Sequence, residues 1–304
     1  MFIACKDFFR KGNKVLLTKE GIERHKRIKL TGTKIPKFFK LKLNAPDEEE
    51  EELEEGEEEP TKTPFWVWSS IINFPFSKRR SPRKEEKYEG IERKIRDYIS
   101  TQLNKNFISY VTKKYDVFDA SEEGYLAYLG GVPDGEEISP AGNTLSILEI
   151  KTMTDAGSKK MDSRFSDIPL SYLLQIALYL YLRKVDIGWI CITYLHHDNW
   201  SSLESLLLNT KISLYSGEQE TKSGIIESLI EEIGECEFEY QILEAYVNNF
   251  LEDNELILFK VRINLEKYDV LIRKLCSWYD KHKYESPDMT DEELNKFISK
   301  NKNL

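Results

Sequence analysis

Asp134, Glu149 and Lys151 are the residues whose types and spacing point most directly to chemistry. Glu149 and Lys151 stand two apart in the run Leu145–Thr152, whose apolar composition predicts a strand. Alternate residues of a strand share a face, so a carboxylate and an ammonium project side by side while Ile150 points the other way. Placing two charges at the end of an apolar, interior strand is costly unless something pairs or binds them. Asp134 sits in a Pro133-Asp134-Gly135 turn, where the chain can fold back and bring a second carboxylate to the same sheet edge. Two carboxylates, the backbone carbonyl of Ile150 and waters suit a hard cation, Mg²⁺ or Mn²⁺, which also takes phosphate oxygens as ligands. Such an ion polarises a scissile phosphate and lowers the pKa of a bound water. Lys151 would position that water or offset charge developing in the transition state. Glu-x-Lys is also a common surface pair and Pro-Asp-Gly an ordinary turn, so it is their order and spacing together that carry the reading.

Gln175 is the strongly polar residue of Tyr172–Leu182, a stretch apolar nearly all round and so expected to be a buried helix. It shares a helix face with Tyr172 and Tyr179, from which its amide could reach a carboxylate or the attacking water; a core glutamine bonded to backbone is the plainer alternative. His196-His197-Asp198-Asn199 is no competing metal site, because consecutive residues of an extended chain point to opposite sides. The aromatic cluster around Phe65, Trp66 and Trp68 could stack on unpaired bases, but packing against amino-terminal helices explains it more simply.

The elements that must position these residues follow from periodicity. Leu17–Phe39 predicts a basic helix, a turn at Thr31-Gly32-Thr33 and a second helix begun near Pro36. Lys84–Leu103 has helical spacing, with Glu89, Glu92 and Arg96 beside its apolar stripe. Phe107–Phe118 and Tyr125–Gly131 look like an antiparallel strand pair, and a polar loop is expected between Asp134 and the next strand. A helix over Ser171–Lys184, a buried strand over Ile187–Leu195, a largely helical Ile225–Leu251, a strand over Leu256–Ile263 and a closing helix over Leu265–His282 complete the reading. The fold class is α/β, a mixed central sheet flanked by helices, with helical elaborations at both ends, read as a single domain over 1–304.

Composition excludes several classes. The longest uncharged runs are too short to cross a bilayer, and the start of the chain lacks the apolar stretch of a signal peptide, so a cytoplasmic protein with no membrane partner is expected. Cys5, Cys191, Cys236 and Cys276 have no paired spacing and read as free thiols. The net charge of −9 conceals a strong asymmetry. The run Asp47–Glu59 holds eleven of the 53 acids, leaving 44 basic against 42 acidic side chains elsewhere. Residues 45–62 therefore read as an acidic, disordered insertion. Residues 1–46, with 13 Lys/Arg and three acids, form a basic segment that could follow a phosphate backbone.

Taken together, Gly131-Val132-Pro133-Asp134-Gly135, Leu148-Glu149-Ile150-Lys151 and Tyr172-x-x-Gln175 resemble the motifs of the lambda-exonuclease/YqaJ branch of the PD-(D/E)XK nucleases. Lys26-Arg27-Ile28-Lys29-Leu30-Thr31-Gly32-Thr33 is similar to that family's amino-terminal segment, and Val261-Arg262 with the closing helix to its carboxy-terminal element. The resemblance implies a restriction-endonuclease-like fold and a Mg²⁺- or Mn²⁺-dependent DNA exonuclease acting on duplex ends in recombination or repair. It implies Asp134 and Glu149 as metal ligands, Lys151 as the catalytic lysine and Gln175 as an accessory catalytic residue. It adds Glu92 as an upstream carboxylate on the metal, with Glu89 as the alternative, and Lys26 or Arg27 with Thr33 as the holders of a terminal phosphate. A ring-shaped homo-oligomer, a single-strand annealing partner and a phage-like origin come with it. The acidic insertion and the long Asp134–Glu149 separation depart from the family pattern. A restriction or defence endonuclease of the same fold, and a non-catalytic interaction module, are the competing readings.

Overall fold

A computed structural model describes residues 4–25, 28–41, 62–72, 82–110, 124–153, 168–195, 203, 207, 210–217, 219–251 and 254–300. The acidic run 47–59, Lys26, Arg27, His196 and His197 lie outside them. The chain is mixed α/β, built on a sheet of eight strands with apolar clusters on both faces. Before the sheet come a short helix α1 (Ala4–Asp7), a hairpin of β1 (Phe8–Lys11) and β2 (Lys14–Leu17), then α2 (Lys19–His25). Next are α3 (Pro64–Ile71), whose first turn is capped by the Thr63 hydroxyl, and α4 (Pro82–Leu103).

The sheet contains β3 (Phe107–Ile108), β4 (Gly135–Ile138), β5 (Thr144–Met153), β6 (Ile187–Tyr194), β7 (Ser213–Ser216), β8 (Glu220–Glu227), β9 (Glu235–Leu251) and β10 (Asn254–Ile263). Their spatial order is β3-β4-β5-β6-β10-β9-β7, with β8 also paired to β9. Only β5 and β6 run parallel among these pairs; α5 (Leu170–Arg183) is the crossover between them. The closing helices are α6 (Leu265–His282), begun by the Asn264 side chain accepting from the Lys267 N–H, and α7 (Asp291–Lys300).

The two faces of β5 divide the core as alternation requires. Ile147 and Met153 join the cluster that includes α5, α6 and α3, whereas Leu148 and Ile150 join the cluster under Ile91, Ile95 and Ile99 of α4. Leu145, expected inside, is 48% exposed: β6 pairs with β5 only from Ile147 onward, and Leu145 falls at a register irregularity between β5 and β4. Gly188 lets β6 lie against α5: a Cβ there would come within 2.7 Å of the Ile176 side chain.

Several expectations need correction. Ile225–Leu251 is not helical but forms the end of β8, a turn through Gly234 and the long strand β9. The alternation Glu235-Cys236-Glu237-Phe238-Glu239-Tyr240 overrides the helix propensity of its glutamates, since it buries Cys236 and Phe238 and leaves Glu235 and Glu237 exposed. Tyr125–Gly131 is not a strand partner of Phe107: Gly124–Tyr128 is a 3-10 turn whose Tyr125 hydroxyl reaches Asp269 of α6, and Phe107–Ile108 pairs with β4. Residues 111–118 of the expected first strand lie outside the described residues. The basic helix stops at His25, and the second helix shrinks to one 3-10 turn, Ile35–Phe38, with Leu30 instead bridging Leu129. The polar loop after Asp134 is the hairpin of β4 and β5, closed by a tight turn with Gly142 at φ 82°. Among the described residues no helix is long and apolar enough to cross a membrane. Cys191, Cys236 and Cys276 are free and buried.

Candidate active site

Glu149 and Lys151 share the α5 face of β5, and Asp134 meets them from the start of β4. Antiparallel pairing of the two strands ends at Gly135↔Leu148, so the ladder position beside Ile150, which the register would give to Pro133, is left vacant by the main chain. Asp134 fills it with its side chain: Oδ2 accepts from the Ile150 backbone N–H at 2.7 Å. An extended residue presents its N–H and C=O to the same neighbour, so the Ile150 carbonyl faces the Asp134 side as well. Arg96 of α4 donates to the Asp134 carbonyl at 3.1 Å and fixes the turn from the other face of the sheet.

Gln175 joins the remaining two groups. Its Oε1 accepts from Lys151 Nζ at 2.8 Å, and its Nε2 donates to Glu149 Oε1 at 2.5 Å. Lys151 Nζ also lies 3.2 Å from the same Glu149 oxygen and 5.2 Å from the centre of the Tyr172 ring. The amide is therefore oriented by charge, its oxygen toward the ammonium and its nitrogen toward the carboxylate. Tyr179, one turn along α5, shares a further hydrogen bond with Gln175. The helix position read from the sequence thus faces a carboxylate rather than backbone.

Electrostatics set this cluster apart from an ordinary ion pair. Glu149 is 2% exposed, and its carboxyl pKa is raised to about 8, first by burial and then by the charge of Asp134, against the pull of Lys151. Glu92 of α4 is likewise raised to about 8 by burial and then by Asp134. Asp134 is raised by burial in spite of Lys151, the Ile150 N–H and Arg96. Three carboxyl groups thus crowd one ammonium and one guanidinium. Of the two glutamates of α4, Glu92 is half-buried and its carboxyl feels the charges of Asp134 and Lys151, whereas Glu89 is exposed.

The donor set suits a hard cation on two observations. Glu149 Oε2 is buried without a hydrogen-bond partner, a costly state for a carboxylate oxygen that a cation would relieve. The mutual repulsion of Glu92, Asp134 and Glu149 calls for positive charge in the same place. Among the described residues no three His, Cys, Asp or Glu side chains form a ready-made ligand cage. Asp134, Glu149 and the Ile150 carbonyl, with Glu92 behind them, are the groups that would hold such an ion.

Of the residues expected to bind phosphate, Thr33 is exposed, with the hydroxyls of Thr31 and Thr33 3.1 Å apart. Arg96 is a site residue to which the sequence reading assigned no role, although its position one turn beyond Glu92 was the available signal. Gly32 and Gly131 were also unassigned; both lie against the Gln175–Tyr179 edge of α5.

No protein-family model matches the chain. It is 29% identical over 231 residues to a protein of Mycoplasma genitalium described as uncharacterized protein MG373, covering 64% of this chain and 75% of the relative. It is 26% identical over 238 residues to the homolog of that protein in Mycoplasma pneumoniae, covering 64% and 76%. These descriptions name no activity, so a functional reading must come from the site.

Proposed function

We propose that the chain is a divalent-cation-dependent deoxyribonuclease of the PD-(D/E)XK type, with a restriction-endonuclease-like sheet, that hydrolyses phosphodiesters from duplex ends. The observation that carries this reading is the convergence of Asp134, Glu149, Lys151 and Gln175 from two strands and a crossover helix. A bound Mg²⁺ or Mn²⁺ would supply Lewis acidity toward a phosphate oxygen and a water. Asp134 and Glu149 contribute the negative charge that retains it, and the Ile150 carbonyl a neutral oxygen. Lys151 stands where it can orient the attacking water and offset charge building on the phosphate. Gln175 holds that ammonium and the Glu149 carboxylate in fixed relation, so neither needs to reorganise during the reaction. The basic segment 1–46 offers counter-charges for a DNA backbone.

The test is timed digestion of end-labelled linear duplex, with and without a 5′ phosphate, beside closed circular DNA. An exonuclease shortens the linear duplex in Mg²⁺ or Mn²⁺, stops on adding EDTA, and leaves the circle intact. Nicking or linearisation of the circle replaces this reading with that of an endonuclease of the same fold. Absence of any phosphodiester cleavage with either ion rejects nuclease activity.

A further inference from the structure

Two chain segments remote from the acid–lysine strand press on the helix that supplies the bridging amide. Leu30 donates to the Tyr128 carbonyl at 2.7 Å, and Gly130 donates to the Leu30 carbonyl at 3.2 Å, so residues 28–32 and 128–131 travel together. The second of these segments leads straight into Pro133-Asp134. Both meet α5 through a glycine. A methyl group on Gly32 would lie 2.6 Å from Cγ of Gln175, 2.9 Å from the Tyr179 hydroxyl and 3.0 Å from the Gln175 carbonyl oxygen. One on Gly131 would lie 2.4 Å from Cε1 of Tyr179. Carbon atoms do not approach that closely without displacement, and here the displaced atoms include the side-chain stem that aims the amide. Neither position has the left-handed backbone that would itself demand glycine, so close approach is the reason for the residue type.

We infer that Gly32 is a positioning residue: by placing no side chain between the Thr31–Thr33 turn and α5, it sets the Gln175 rotamer that joins Glu149 to Lys151. Its catalytic consequence rests on the nuclease reading above; its geometric content does not. Gly131 acts on the same edge through Tyr179. The amino-terminal segment thereby becomes part of the active-site scaffold, not merely a basic surface beside it.

The experiment compares the full chain with Gly32→Ala, Gln175→Ala and the double variant, measuring Mg²⁺-dependent cleavage of end-labelled duplex and the ¹⁵N side-chain amide resonance of Gln175, assigned by its loss in Gln175→Ala. Gly32→Ala is expected to shift that resonance and to lower kcat by about tenfold or more, with KM changed by less than roughly threefold. Adding Gly32→Ala to Gln175→Ala is expected to change kcat by less than about twofold, because the two act through one side chain. An unmoved resonance with unchanged kcat overturns the inference, as does an equal penalty in both backgrounds. If the parent cleaves no DNA, the nuclease reading falls while the resonance still decides the Gly32 contact. If Gly32→Ala does not fold, recovery of folding in the double variant supports the inference, and failure to recover overturns it.

Discussion

The Ile150 backbone N–H donates to Asp134 Oδ2 at 2.7 Å, so the acid of the turn completes a strand ladder at the position where main-chain pairing stops. Under the proposed function one carboxylate would combine this structural duty with a metal-binding one, and substitutions can separate them. Asp134→Ala leaves a partly buried N–H unpaired and should cost about 1–3 kcal/mol by denaturant titration. Asp134→Asn keeps an acceptor and should cost distinctly less, while Mg²⁺ binding by calorimetry is lost in both. Equal destabilisation by the two variants would show that the hydrogen bond has no structural weight.

Lys151 is paired with Gln175 and Glu149 and rests over the Tyr172 ring, at the surface of the core rather than within it. Lys151→Ala should therefore leave the circular dichroism spectrum intact while lowering kcat for DNA cleavage by about 10²-fold or more. Retained cleavage at near-parental rate would remove Lys151 from the mechanism.

Repulsion among Glu92, Asp134 and Glu149 exists only in the folded chain, so the cation of the proposed function would bind the folded state in preference to the unfolded one. At a concentration of Mg²⁺ about one hundred times its Kd, the ion should stabilise the fold by about 2.7 kcal/mol, seen as a rise in Tm relative to EDTA. The rise should vanish in Glu149→Ala and shrink in Glu92→Gln. A parent Tm indifferent to Mg²⁺ and Mn²⁺ would argue against a cation at these residues.

His25 is 4% exposed, stacked on Tyr279 with its Nε2 3.1 Å from the tyrosine hydroxyl. Burial, and then the charges of Lys34 and Lys283, lower its pKa from 6.5 to about 4. Between those values the unfolded chain binds the proton and the folded one does not, so this contribution to stability is complete above pH 6.5 and is lost as pH falls through about 4. Unfolding free energies of the parent and of His25→Phe should therefore diverge with rising pH across that window. Parallel pH profiles would mean that the imidazole binds its proton equally well in the folded and unfolded chain.

The alternation along β9 makes an equally direct claim about packing. Phe238→Ala should cost about 3–5 kcal/mol, since it empties a buried site beside Tyr268, whereas exposed Glu237→Ala should cost less than about 1 kcal/mol. Similar effects at both positions would contradict the strand.

How far the sequence could be read depends on which signal was local. The crossover helix, β5, β6, β10 and the closing helix were legible because each has one unmixed period and clear end signals. Glu149 and Lys151 were legible as a pair for the same reason: a strand offset of two residues allows no other outcome. Ile225–Leu251 was misread because its glutamates favour a helix and its span is long, although a six-residue alternation within it already marked the strand. Tyr125–Gly131 looks like a strand because its tyrosines and leucines suit one, and tertiary partners such as Asp269 hold its first residues in a 3-10 turn instead. Beyond the place of Arg96 one turn past Glu92, the contacts of Arg96 with Asp134 and of Gly32 with Gln175 left no trace in the sequence, because each joins residues far apart in the chain.

Two neighbouring strands that run the same way oblige the polypeptide to travel back over the sheet before the second can begin. In this molecule that return journey is α5, and its path carries Gln175 directly above Glu149 and Lys151. The amide consequently rides on a connection that strand direction makes unavoidable. Trimming hairpins and turns that do not touch α5 would leave the helix in place, whereas reversing either β5 or β6 would abolish the need for the helix and the amide together.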